Sequence, residues 1–150
     1  MLVYRITKSE FSEDLSGQGA FLYGGRWNYK GERMLYASEN PSLALLENLV
    51  HLSRFQILPD LQLVSLNLDS EHIFELKEDK LPLDWRKNPA PFLLKALGSE
   101  FLLEEKYLAM KVPSVVIPVD KNILINPLNP DFKSVAIVDV QHLALEERLR

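Results

Sequence analysis

Cysteine is missing from the 150-residue chain, and its absence removes several chemistries at once. Disulfide staples, thiolate metal sites and a cysteine nucleophile are all excluded, and a reducing cytoplasm is the expected compartment. Histidine is scarce too. His51, His72 and His142 are far apart, and only His51 has a carboxylate at helical spacing, Glu47, so no metal site is expected. Positive charge does not prevail either: 17 Lys and Arg against 21 Asp and Glu leave a net charge of −4. That balance exerts no long-range pull on a phosphate backbone, so direct nucleic-acid binding is not expected, while a small anionic ligand stays compatible. No apolar run approaches the length that crosses a bilayer, and the polar start Met1-Leu2-Val3-Tyr4-Arg5 does not read as a signal sequence. A soluble protein without membrane association is expected. No serine occupies a Gly-x-Ser-x-Gly elbow, and no Gly-Lys-Ser/Thr step completes a phosphate-binding Walker loop.

Glycine is sparse and unevenly placed. Five of the six fall in the first thirty-one residues, at Gly17, Gly19, Gly24, Gly25 and Gly31, bracketing the run Gly24-Gly25-Arg26-Trp27-Asn28. Glycine permits positive φ and close approach of backbone to a ligand, so this crowding beside an arginine and an aromatic suits an anion on a flat organic group. The same run also fits a plain hairpin with Trp27 in the core and Arg26 in solvent.

A 47% hydrophobic chain of this length can bury one core, and a single domain over residues 1–150 is expected. Strands are predicted over residues 2–6, which puts Arg5 on a strand, and over 34–38 and 61–68. Asn40 and Pro41 supply helix-start chemistry for a helix over 41–52, whose wheel gathers Leu43, Leu45, Leu46, Leu49, Val50 and Leu52 on one half and Ala44, Glu47, Asn48 and His51 on the other. Glu47 at the edge of that apolar arc fits the rim of a groove or an ordinary solvated face. The charged stretch 69–80 reads as a connection, and Pro82, Pro89 and Pro91 punctuate a linker around Trp85. A helix over 92–103 follows, with Gly98 as its expected break. Four β-rich runs, 107–112, 115–119, 122–125 and 135–140, complete the chain. Helices and strands do not alternate regularly, so the expected class is α+β. Two Asn-Pro steps stiffen residues 126–132, which either link strands or hold Asn126 against a ligand.

Taken in order, Tyr4-Arg5, the Gly17/Gly19 pair, Gly24-Gly25-Arg26-Trp27-Asn28 with Gly31, Leu35-Tyr36-Ala37-Ser38, Ser42-Leu43-Ala44-Leu45-Leu46-Glu47, Val112-Pro113-Ser114 and Asn126-Pro127-Leu128-Asn129-Pro130-Asp131-Phe132 resemble the RES-domain family across nearly the whole chain. The resemblance implies an ADP-ribosyltransferase-like α+β fold, a mixed or antiparallel sheet with flanking helices. It also implies the toxin of a bacterial toxin–antitoxin pair, whose partner is an Xre-type antitoxin, with room for a homodimer within that complex. NAD is then the substrate, no further cofactor is required, and the nicotinamide–ribose bond is broken by hydrolysis or phosphorolysis. ADP-ribosylation of a protein, or a non-catalytic nucleotide-binding domain, are the alternatives. Carried over by position, the resemblance implies a site made of Arg5, Arg26, Tyr36, Glu47 and Ser114, with Asn126 as an addition. Two arginines offer planar donor forks to a pyrophosphate, and a carboxylate suits an oxocarbenium-like transition state. Tyr36 suits stacking on nicotinamide, and Ser114, behind Pro113, suits orienting the ribose or amide. The chain end Leu145-Glu146-Glu147-Arg148-Leu149 departs from the family's pattern and is given no role.

Overall fold

The structure is a computed structural model and describes residues 1–51 and 60–149. Its centre is a seven-stranded sheet of β1 (Leu2–Lys8), β2 (Leu35–Ser38), β3 (Leu61–Asn67), β4 (Ile73–Glu75), β5 (Ala109–Pro113), β6 (Lys121–Ile125) and β7 (Ala136–Leu143), in the order β4-β5-β6-β2-β1-β3-β7. Every neighbouring pair is antiparallel except β4 and β5. Among the described residues three α-helices accompany it, α1 (Gln18–Tyr23), α2 (Pro41–Leu49) and α3 (Phe92–Glu104), and the expected α+β class holds. None of the described helices is long and apolar enough to cross a membrane.

Alternation in the central strands divides the interior. Leu35 and Ala37 of β2 with Ile123 and Ile125 of β6 enter one cluster with Val3, Val64 and Leu66. Leu124 faces the other way and joins Trp27, Trp85, Met110, Val112 and residues of α3 in a second. The central strands are therefore covered on both sides, which accounts for the run of buried residues in β6, while β7 at the sheet's edge stays largely exposed.

α3 runs unbroken through Gly98, where a break was expected. A Cβ at position 98 would lie 1.6 Å from the carbonyl oxygen of Trp27, so glycine is there to let the helix press against the glycine-rich loop. Residues 115–119 are not a strand: β5 pairs with β6 up to Pro113 opposite Lys121, which makes 114–120 the connection between them. There the Ser114 hydroxyl accepts from the amides of Val116 and Ile117, taking donors that a strand would need. α1, which lies between Gly17 and Gly24, was not foreseen.

α2 starts as expected, with the Asn40 side chain accepting from the Leu43 amide at 2.7 Å and Pro41 in the first turn. Its orientation departs from the expected wheel. Leu43 and Ala44 are buried, Glu47 and Asn48 half-buried, while Leu46 and Val50 stay 37% and 59% exposed. The Asn48 amide donates to the Ile6 carbonyl of β1, so the polar stripe of the helix faces the protein. The expected helix end at Leu52 falls outside the described residues.

Candidate active site

β1 and β2 form only one register pair, Tyr4 with Ser38. Continued, the ladder would set Ile6 opposite Tyr36; the strands part instead, and a cleft of about 750 Å³ opens between them. It is lined by Arg5 to Lys8 of β1, Leu35 and Tyr36 of β2, residues of α1 and the glycine-rich loop, and Glu47 of α2. A side chamber of about 200 Å³, shared by Arg5, Tyr36, Glu47, His51 and Asn122, lies beyond. Four of the six expected residues, Arg5, Arg26, Tyr36 and Glu47, therefore line one space although they come from four separate segments.

Both guanidinium groups are tethered to main-chain oxygens. Arg5 Nη1 donates to the Asp14 carbonyl at 3.0 Å, and Arg26 Nη1 to the carbonyls of Trp85 at 3.2 Å and Lys87 at 2.9 Å. Among the described residues neither makes an ion pair. Burial lowers the pKa of each, opposed by the charge of Asp14 at Arg5 and of Glu47 at Arg26. A guanidinium still stays protonated under such a shift, so two tethered positive charges line the cleft.

The glycine-rich loop combines the core tryptophan of a plain hairpin with residues that line the cleft, and Arg26 is half-buried where the hairpin reading put it in solvent. Trp27 is a core residue at 3% exposure, Gly25 bridges Asn28 as in a tight hairpin, and yet Gly24, Gly25 and Arg26 line the cleft. A Cβ on Gly25 would lie 2.6 Å from the Tyr36 hydroxyl, so this glycine admits the tyrosine. Tyr36 donates to Asn28 Oδ1 at 2.7 Å and accepts from the Trp27 amide at 3.1 Å. Burial pushes its pKa far up, which keeps the phenol neutral. From behind, α3 fastens the loop: Lys95 Nζ donates to the carbonyls of Gly25 and Asn28, and Ser99 donates to Glu32, whose other oxygen holds the Tyr29 amide.

Glu47 is held by side chains. Ser114 Oγ and Asn122 Nδ2 each donate to Glu47 Oε1 at 2.6 Å. Ser114 is wholly buried and reaches the cleft only through Glu47, since its flanking residues Pro113 and Val115 line the cleft and it does not. Asn126 is not brought to the cleft. Its amide donates to the Leu102 carbonyl and its oxygen accepts from the Leu128 amide, which makes it part of the stiff turn after β6. Asn122 was not foreseen as a site residue; it falls in a predicted strand, but the pairing that sets it opposite Ser38 is long-range and no local signal announces it. Among the described residues, the one group close enough to share a metal is Asp69, Glu71 and His72, exposed and outside the cleft.

The RES domain family model matches residues 2–146. The chain belongs to the RES-domain family. It is 35% identical over 153 residues to "Toxin Res" of Yersinia enterocolitica, covering all of both chains. To the "Prs ADP-ribosylating toxin" of a Sphingobium species it is 33% identical over 141 residues, covering 92% of this chain and 88% of that one. By kinship it thus stands among toxins. A chain of the M. tuberculosis MbcT–MbcA toxin–antitoxin complex shares the fold at a TM-score of 0.76 and 15% identity, covering 95% of this chain and 84% of that one.

Proposed function

We propose that this RES-domain protein is the toxin of a toxin–antitoxin pair and that it consumes NAD by breaking the nicotinamide–ribose bond. The carrying observation is that two arginines, which make no ion pair among the described residues, share a single cleft with one carboxylate. A dinucleotide demands that combination: anionic at its pyrophosphate, and cationic at the ribose carbon as the bond breaks. Arg5 and Arg26 bind the pyrophosphate through their remaining donors. Tyr36, a neutral phenol, packs beside the nicotinamide ring. When the C1′–N bond opens, its electron pair goes to the nicotinamide nitrogen, which becomes neutral, and the ribose takes on oxocarbenium character. Glu47 accepts from a ribose hydroxyl and stabilises that charge, a contact worth about several kcal/mol in glycosyl cleavage. Water or phosphate then attacks C1′, and no cofactor beyond the substrate is called for.

In this reading the protein works in the cytoplasm, where an Xre-type antitoxin holds it in check. The structural neighbour comes from a toxin–antitoxin complex, and the toxin names of the relatives favour an antitoxin partner here. An inhibiting segment that enters the cleft would carry a carboxylate to meet the two arginines. A second reading, transfer of ADP-ribose to a protein, is favoured by the name of the Sphingobium relative. Purified protein incubated with NAD should release nicotinamide, faster in phosphate buffer if phosphate is the acceptor. Labelled NAD that marks a protein band would move the acceptor to a macromolecule. Folded protein that releases no nicotinamide with water, phosphate or candidate protein targets would overturn both readings.

A further inference from the structure

Ser38 and Asn122 are direct cross-strand partners on β2 and β6, so their side chains project from the same face, the face that carries Tyr36 and Leu124 into the cleft. Ser38 is nearly fully buried, and its hydroxyl donates to Asn122 Oδ1 at 2.7 Å. Asn122 Nδ2 in turn donates to Glu47 Oε1. The chain of donors has one consistent direction. A carboxylate can only accept, so Asn122 must turn its NH2 toward Glu47, and its oxygen then needs a donor, which Ser38 supplies. Ser114 meets the same Oε1, with its own lone pairs taken by the amides of Val116 and Ile117, so that hydroxyl has one way to point. Glu47 Oε2 is left without a protein partner among the described residues.

We propose that Asn122, oriented by Ser38, is a positioning residue that fixes the Glu47 carboxylate with Oε1 bound to the protein and Oε2 presented to the substrate. This rests on the reading that Glu47 serves the cleavage of NAD. The two donors come from different segments, β6 and the turn after β5, so they define the carboxylate plane as well as its place. Loss of Ser38 would leave a buried amide oxygen unpaired and free the amide to rotate, setting oxygen against oxygen at Glu47. Such a defect leaves NAD binding by the arginines intact and acts on the chemical step.

The test is steady-state nicotinamide release by Asn122→Ala, Ser38→Ala and Ser38→Thr, with circular dichroism confirming the fold of each. Asn122→Ala should lower kcat by about 10- to 100-fold, the effect of losing a hydrogen bond to a charged group, with KM within about threefold of wild type. Ser38→Ala should lose less, and Ser38→Thr, which keeps the hydroxyl, should regain most of that loss. Wild-type kcat in Asn122→Ala, a change confined to KM, or Ser38→Thr as impaired as Ser38→Ala would overturn the proposal. A spectrum separates this from the reaction itself. In 1H–15N correlation the Asn122 side-chain amide should show one proton shifted downfield and slow to exchange, and Ser38→Ala should abolish that signature. If the wild type releases no nicotinamide but shows the signature, the NAD reading falls and the positioning of Glu47 stands. An ordinary asparagine signal in wild type overturns the positioning.

Discussion

The charged groups of the cleft fall into two sets, an arginine wall and a carboxylate wall: the guanidinium groups of Arg5 and Arg26 are tethered to main-chain carbonyls, and Glu47 is held by the side chains of Ser114 and Asn122. A carbonyl tether depends on the path of a loop and is indifferent to which residues compose it. A side-chain tether depends on identity. The arginines should therefore tolerate substitutions in the segments that hold them and fail when those segments move. The carboxylate should fail on single substitutions that leave the backbone untouched.

Removing the carboxylate's charge is the strongest way to test that contrast. Glu47→Gln keeps the shape and can still accept from Ser114, but it cannot stabilise a developing cation. Turnover should fall by about 10²- to 10³-fold with NAD binding retained, measured by nicotinamide release beside calorimetric titration of NAD. Equal losses of binding and turnover would mean that Glu47 shapes the cleft without acting on the reacting carbon, and the two walls would cease to differ in role.

Gly98 offers the matching attack on the arginine wall, from outside the cleft. Alanine there improves helix propensity by about 1 kcal/mol, yet its Cβ would lie 1.6 Å from the Trp27 carbonyl, and backbone cannot rotate away as a side chain can. The net expectation for Gly98→Ala is a loss of about 2 kcal/mol, read as a fall in Tm of roughly 4–8 °C, with KM for NAD rising because Arg26 moves with the loop. An unchanged Tm would show that α3 and the loop slide apart freely, and the rigid support assigned to that wall would be gone.

The same contrast explains what the sequence made legible. Most strand positions and the start of α2 were readable because alternation and an Asn-Pro step are local signals, whereas β4 lay hidden in the charged stretch 69–80 and residues 115–119 are not a strand. Arg5, Arg26, Tyr36 and Glu47 were gathered through family resemblance, and a common cleft does contain them. The tethers of Arg26 were not readable, since nothing in the identity of Trp85 or Lys87 announces a carbonyl aimed at a residue some sixty positions away. The facing of α2 misled for a different reason. Hydrophobic periodicity assumes that the apolar arc turns inward, whereas this helix turns Glu47 and Asn48 toward the sheet and leaves Leu46 and Val50 outside. Local rules fail where a functional side chain sets the orientation. Ser114 and Asn126 show the limit of carrying residues over by position: one reaches the cleft only through Glu47, the other sits in a turn.

Arg26→Lys is the mildest of the perturbations and the most discriminating between geometry and charge. Arg26 Nη1 already serves two carbonyls, so its Nη2 and Nε remain for an anion, and one planar group can be anchored and bind at once. A lysine has a single nitrogen: if it takes the carbonyls it is withdrawn from the ligand, and if it meets the ligand the carbonyls of Trp85 and Lys87 lose their donor. KM for NAD should rise by about tenfold, with kcat within about twofold, because the lost contact is made equally in ground and transition states. A KM close to wild type would show that a point charge suffices there, in which case the carbonyl tethers serve the fold of the 84–91 segment and the functional distinction between the two walls narrows to Glu47 alone.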